Sequence, residues 1–437
     1  MNALHKKFVA WALCLSAVFG ACSAAYAQPM RYGRSVALAG SGALGMYGVQ
    51  AEGWNPANLG LKANSKFSVQ LPSFGMFFGN NAFTPQYISD TFQEGSFLDS
   101  TIKRDILSQM DADQLRLDAQ FGLPLFGLST ERIGFNLNTH LLSKVAIPAD
   151  IFELCLTGWI ENQIYDFSSV EEDIMAYWTA GLTVGTPLPV VPFMKEFAVG
   201  ATFRYIGGIG FTKLEEKTGA LQVTNETIRA EGMSRFLVGE KGGDGVGLDL
   251  GAAGRLPIFD MYVGMTLGNL IGSINWNSVE AREKHFNRDS GLNIDSLNRN
   301  EYWKHFLYQT DTSYSYGVYE TPLPRYLLLS ADLPYLSGAG DLFFSYYQGL
   351  NNTAGQNTTP RLALGSEFRW IPILPLRVGA AVGGVEAFEL GGGFGLRLLG
   401  YSLNFGVSWQ RGVLAGAKGF SFALTQSLGP SFKRKGI

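Results

Sequence analysis

Three histidines, one cysteine and one acidic pair are the residues beyond position 27 that invite a catalytic or metal-binding reading. His140, His285 and His305 show no HExxH or other short ligand spacing. Asp111-Ala112-Asp113 could begin a cation loop, but the Gly and distal Glu of an EF-hand are missing. Cys155 stands alone in that part of the chain, so it makes neither an internal disulfide nor a Cys-rich metal site. It reads as a small apolar residue in a helical turn with Phe152. No GxSxG or phosphate loop occurs. Gly391-Gly392-Gly393 lies within an alternating segment, where Gly makes room for a close approach. The expectation is a protein that is not an enzyme, with no catalytic residue, no metal and no cofactor.

The elements that would position these residues alternate with period two. From Leu115 to Leu123 every odd position is apolar and every even one is polar or Gly. Tyr401 to Gln410 keeps the same rule. The pattern recurs at 133–141, 197–205, 246–252, 362–370, 374–383, 388–398 and 420–424. Side chains alternate faces along a strand, so each segment has one apolar and one polar face. The polar face carries Arg116, Asp118, Asn136, Asn138, His140, Arg204, Asp249, Glu367, Arg369, Arg377, Glu389, Arg397 and Asn404, with Gly, Ser and Thr between them. Lys is nearly absent from these segments, unlike the outer face of a soluble sandwich. A transmembrane barrel turns the apolar face to lipid and the small and polar face to the lumen. Trp370, Trp409, Tyr401, Phe420 and Tyr326 near segment ends are candidates for aromatic girdles. A large soluble sheet protein is the competing reading.

Composition agrees with the barrel. Of 437 residues, 54 are Gly, and only 16% are charged, against about 25% in an average chain. The 34 basic and 37 acidic residues leave a net charge of −3, with no basic excess to neutralise nucleic-acid phosphates. A mean hydropathy of +0.07 is too low for a bundle of membrane helices. The start of the chain gives the compartment. Lys6 and Lys7 precede the apolar run Phe8 to Ala21, which ends in Ala25-Tyr26-Ala27. This is the pattern of a cleaved export signal over residues 1–27. A lipobox at Cys22 fits less well, because Phe19 stands where a small aliphatic residue belongs. A retained anchor is the alternative.

Residues 28–64 are rich in Gly and Ala and show no strand rhythm. The barrel is expected over 65–432, with about 14 and at most 16 strands. Short helices are expected at 96–113 and 148–158, a long polar loop at 277–300 and a basic tail at 433–437.

Residues 33–60, ending in Ala51-Glu52-Gly53-Trp54-Asn55-Pro56-Ala57-Asn58-Leu59-Gly60, resemble the N-terminal hatch of the FadL outer-membrane family. Asn55, Pro56 and Ala57 match that family's Asn-Pro-Ala motif. In detail the chain is similar to an uncharacterised FadL-like branch, and more distantly to PorV, the outer-membrane component of type IX secretion. The resemblance implies an all-β, 14-stranded antiparallel barrel in the bacterial outer membrane, with residues 28–64 plugging its lumen. It implies passive passage of hydrophobic small molecules such as fatty acids or lipids. The alternative is a secretion or assembly component that holds a protein partner. Expected partners are outer-membrane lipid, a hydrophobic ligand or a secretion-system protein, with no nucleic acid and a monomeric state. Two departures from the family stand out. The lumen carries Arg and acidic residues in near balance. Phe432 is followed by Lys433-Arg434-Lys435-Gly436-Ile437, so the terminal aromatic of the last strand is displaced inward.

Overall fold

Alternating sequence becomes one continuous antiparallel wall. The computed structural model describes residues 30–92, 98–110, 114–158, 160–189, 192–224, 228–288 and 308–429. The export signal, Asp111 to Asp113, His305 and the tail with Phe432 lie outside the described residues. Strand segments run in chain order as β1 (Phe67–Gln70), β2 (Phe74–Asn80), β3 (Gln114–Thr130), β4 (Ile133–Pro148), β5 (Ile164–Asp166) and β6 (Glu171–Pro187). They continue as β7 (Glu196–Val223), β8 (Ile228–Gly239), β9 (Gly243–Arg255), β10 (Tyr262–Arg288), β11 (Tyr308–Pro322) and β12 (Tyr326–Tyr335). The last six are β13 (Gly340–Gly349), β14 (Arg361–Phe368), β15 (Leu376–Gly383), β16 (Phe388–Leu398), β17 (Tyr401–Gln410) and β18 (Gly419–Leu428).

Pairing reduces these segments to a closed barrel of 14 staves. β1 and β2 both pair β18 and β3, so they are one stave broken at Pro72. Proline cannot donate to the ladder there. β8 and β9 lie end to end between β7 and β10. β11 and β12 both pair β10 and are broken around Pro324. β5 only adds three residues to the upper end of β7. The β18 pairing with β1 and β2 leaves no open edge in lipid.

Outward positions such as Ile133, Phe135, Leu182, Phe203, Leu364 and Val378 are exposed, as a lipid-facing band requires. One end of the barrel closes in tight turns such as Glu131-Arg132 and Leu399-Gly400, and the other carries the long insertions. Short turns mark the periplasmic end and long loops the extracellular end. There, α2 (Pro85–Thr91), α3 (Ser100–Ser108) and α4 (Ala149–Thr157) bury Phe83, Ile106 and Leu115 in a small apolar cluster. Asp99 Oδ1 caps α3, accepting from the N–H groups of Thr101 (2.8 Å) and Ile102 (2.9 Å). Cys155 is exposed on α4 rather than packed as a small apolar residue.

Two further expectations change. The expected loop at 277–300 is strand as far as Arg288, because β10 runs for 27 residues. About 9–11 residues suffice to cross the membrane, so the upper β7–β8–β10–β11 sheet stands above it. Outside the bilayer a strand turns polar side chains outward, and Glu280, Arg282 and Lys284 do so. That charge is what made the segment resemble a loop. Tyr326 belongs to no girdle: it is buried and faces inward, because its parity is that of Leu328 and Ser330.

Residues 30–64 lie inside the barrel. Most of them are buried; Arg34, Gln50, Gly53, Ala63 and Asn64 are partly so and Lys62 is exposed. They contain α1 (Gly33–Ala37) and three short 3-10 turns, at Ala43–Gly45, Gly48–Ala51 and Pro56–Gly60. Inward glycines of the wall let this backbone approach. A Cβ at Gly379 would strike the Leu38 backbone, and one at Gly391 the Val36 carbonyl.

Candidate functional site

The Asn-Pro-Ala sequence builds a capped turn fastened to the wall. Asn55 is extended, and its Oδ1 accepts from the Ala57 N–H at 3.0 Å, which starts the 3-10 turn with Pro56 in its first position. Its Nδ2 donates to the Ala252 carbonyl on β9 at 3.1 Å. Asn58 Nδ2 donates to the carbonyls of Ala43 (2.9 Å) and Met46 (2.7 Å), so the internal segment holds its own shape. Thr266 Oγ1 donates to the Trp54 carbonyl at 2.7 Å, and the Tyr326 hydroxyl donates to that of Gly53. Asn55, Pro56 and Ala57 are all buried.

The charges of the lumen converge in three groups, each joining the wall to residues 30–64. In the first, Arg204 reaches Asp249 at 2.5 Å and Asn269 Oδ1 at 2.6 Å, with Glu52 of the segment at 4.0 Å. Asn138 Nδ2 donates to Glu52 at 3.4 Å, Asn136 is buried on the same face, and His140 stacks on Tyr177 at 4.8 Å. In the second, Glu367 meets Arg34 of the segment (3.1 Å), Arg369 (2.9 Å), Arg377 (2.7 Å) and Arg397 (3.6 Å). In the third, Arg31 of the segment binds Glu386 at 3.2 Å, while Arg361 binds Glu389 at 2.5 Å. Arg116 and Asp118 form a separate pair at 3.4 Å toward the extracellular end. Asn404 lines a cavity near the second group. Arg31, Arg34 and Glu52 were not singled out from sequence, because they sit in a stretch without periodicity.

Above the internal segment the lining turns apolar. Leu142, Met175, Tyr177, Ile206, Phe211, Leu237, Ile274, Trp276 and Leu323 form one buried cluster. Phe211 and Trp276 pack at 4.7 Å between ring centroids, and Trp276 Nε1 donates to Thr321 Oγ1 at 3.0 Å. Leu142, Met175, Tyr177 and Ile206 keep the inward parity of the polar rows below them, whereas a register shift in β7 near Gly208 brings Phe211, of opposite parity, to the same inner face. The cluster descends to a cavity of about 60 Å³ with a mixed lining, Met30, Gly53, Leu142, Tyr177, Leu323 and Tyr326 facing Glu52, Gln120, Asn138, His140, Thr179, Arg204 and Asn269. A second cavity, about 30 Å³, lies on the periplasmic side of the segment.

Beside the upper cavity the wall is irregular. The β10 register slips between Leu267 and Ile271, and Asn269 Nδ2 bridges to the Pro324 carbonyl at 2.7 Å across the break between β11 and β12.

Residues 60–406 match the family of unknown function DUF5723. The chain belongs to the DUF5723 family. No curated protein matches it in sequence. Among solved structures, this DUF5723 barrel is similar to the TodX deltaS2S3 mutant monoaromatic hydrocarbon channel, at 11% identity and a TM-score of 0.54 over 92% of this chain and 99% of that one. It is similar to the Ralstonia pickettii toluene transporter TbuX, at 10% identity and a TM-score of 0.51 over 92% and 99%. A Pseudomonas aeruginosa FadL homologue matches at 14% identity and 0.50, over 94% and 100%. At such identities the likeness is one of fold: the DUF5723 chain is a FadL-like barrel, integral to the outer membrane. Among its described residues no three His, Cys, Asp or Glu side chains converge on a metal position.

Proposed function

We propose that the protein passes hydrophobic small molecules inward across the outer membrane by passive diffusion, with residues 30–64 acting as the hatch. The observation that carries this reading is the apolar column in the extracellular half of the lumen. A water-filled porin has no use for Phe211, Trp276 and Ile274 buried inside its wall. An apolar solute crosses the polar outer surface poorly, and such a column offers it a path down to Gly53. A cavity of about 150 Å³ holds benzene, whereas the space at Gly53 is about 60 Å³. Passage therefore requires the hatch or the Tyr326 and Leu323 side chains to shift. The slipped register of β10 beside Asn269 supports a sideways exit at the same height.

The solved structures whose printed names are hydrocarbon channels or transporters support the class of cargo. Aromatic hydrocarbons and fatty acids are the two candidates to separate. The test is uptake of a radiolabelled aromatic hydrocarbon and of a long-chain fatty acid, in separate arms, across vesicles with an outer leaflet of lipopolysaccharide. Uptake of at least one should exceed that of protein-free vesicles and fall at least tenfold for Leu323→Asp. Equal uptake with and without protein would reject the reading. Co-purification of secreted proteins with the barrel, with no such uptake, would favour the partner-holding alternative.

A further inference from the structure

The charge group around Glu367 is not neutral. Arg34, Arg369, Arg377 and Arg397 surround Glu367, and among the described residues the one other carboxylate of the group is Asp341, which binds Arg369. Four guanidinium groups thus face two carboxylates. Excess charge is expensive where water is scarce, and Arg377 and Glu367 have fully buried side chains. Arg377 Nε is taken by Glu367 at 2.7 Å. Its Nη1 and Nη2 are buried and, among the described residues, have no hydrogen-bond partner. Arg34, Arg377 and Arg397 all line the cavity on the periplasmic side of residues 30–64, together with Ser402 and Asn404.

We infer that this cavity is a binding site for the carboxylate group of a small anion, entering from the periplasmic mouth. The free edge of the Arg377 guanidinium is a planar pair of donors, matched to the two oxygens of a carboxylate. Arg397 and Ser402 line the same cavity and would complete the charge and hydrogen bonding. With a volume of about 30 Å³, the cavity suits a carboxylate head rather than the bulkier tetrahedral phosphate. Arg34 belongs to the internal segment and the other three arginines to the wall, so the bound anion would bridge the two. The site stands independently of the transport reading, because it lies on the opposite side of the segment from the apolar column.

The test uses the full chain, folded in zwitterionic detergent, with sodium acetate as the probe and ionic strength held constant with chloride. A ligand that binds the folded state raises the melting temperature in a saturable way. Acetate should do so, and chloride and inorganic phosphate should not. Arg377→Gln should weaken the apparent acetate affinity at least tenfold. Ser402→Asp supplies a carboxylate from the protein itself. It should melt higher than the parent protein without acetate and lose the response to it, which keeps the test decisive where Arg377→Gln does not fold. A response that is absent, equally strong with phosphate, or unchanged in Ser402→Asp overturns the assignment.

Discussion

Asn55→Ala removes the Oδ1 bond within the turn and the Nδ2 contacts to the wall, at Ala252 and more distantly at Met265 (3.5 Å), and these have different consequences for the internal segment. The bond from Nδ2 to the Ala252 carbonyl joins the segment to the wall and must break whenever the segment leaves. A buried bond of this kind is worth about 1–1.5 kcal/mol net. The Oδ1 cap on Ala57 is internal to the turn, and its loss costs about 1 kcal/mol. The cap bears on docking only so far as the turn unwinds outside the barrel. A factor of ten corresponds to about 1.4 kcal/mol. The equilibrium should therefore move toward the undocked state by roughly tenfold from the wall bond alone, and by up to about 60-fold if the cap contributes fully. Asn55→Ser keeps a capping oxygen but is too short to reach Ala252, and should fall at the lower end. The assay is single-channel recording in planar bilayers, reading the fraction of time the pore conducts ions. Unfolding is controlled by the heat-dependent gel mobility of the barrel. An unchanged open fraction for Asn55→Ala, with the barrel intact, would refute the view that this motif fastens the segment.

Two further outcomes follow from the charges. Arg204→Leu leaves Asp249 and Glu52 buried without their cation, and should cost about 3–5 kcal/mol. The double variant Arg204→Leu/Asp249→Leu should recover part of that, measured by denaturant midpoint. On the projecting sheet, the Tyr314 hydroxyl and then Arg235 hold the Glu283 carboxylate down to about 2 from its ordinary value near 4.5. A lowered carboxylate stabilises the fold above its ordinary value and loses that contribution as pH falls toward 2. Pepsin cleavage within this sheet should thus rise between pH 5 and pH 2. Glu283→Gln should already be sensitive at pH 5, with little further pH dependence.

Alternation made the wall legible. In Tyr401 to Gln410 the repeat is unbroken, and β17 covers those same residues. Parity likewise puts Arg204, Asp249, Glu367 and Arg377 on the inner rows. It does not reveal which charges meet, because Glu52, Arg31 and Arg34 reach them from a segment shaped by turns and caps rather than by a period. The length of β10 was hidden for a different reason. Above the membrane its outer face is charged, so the contrast between lipid and lumen that identifies a membrane strand disappears. The apolar column was hidden by the opposite effect: Leu142 and Trp276 are apolar residues on an inner row, where polar residues were expected. Tyr326 shows how residue type misleads at a strand end, since an aromatic suits both a girdle and a lumenal contact to Gly53.

The proposed function requires one path, from the extracellular sheet through the apolar column to residues 30–64. Its most direct test is an experimental structure of the protein equilibrated with an aromatic hydrocarbon or a fatty acid. Ligand density is expected between Leu142, Tyr177 and Tyr326, in a cavity enlarged from the present 60 Å³ or so. A lumen that stays sealed at saturating ligand, with the Phe211–Trp276 column intact and no density along it, would contradict that function.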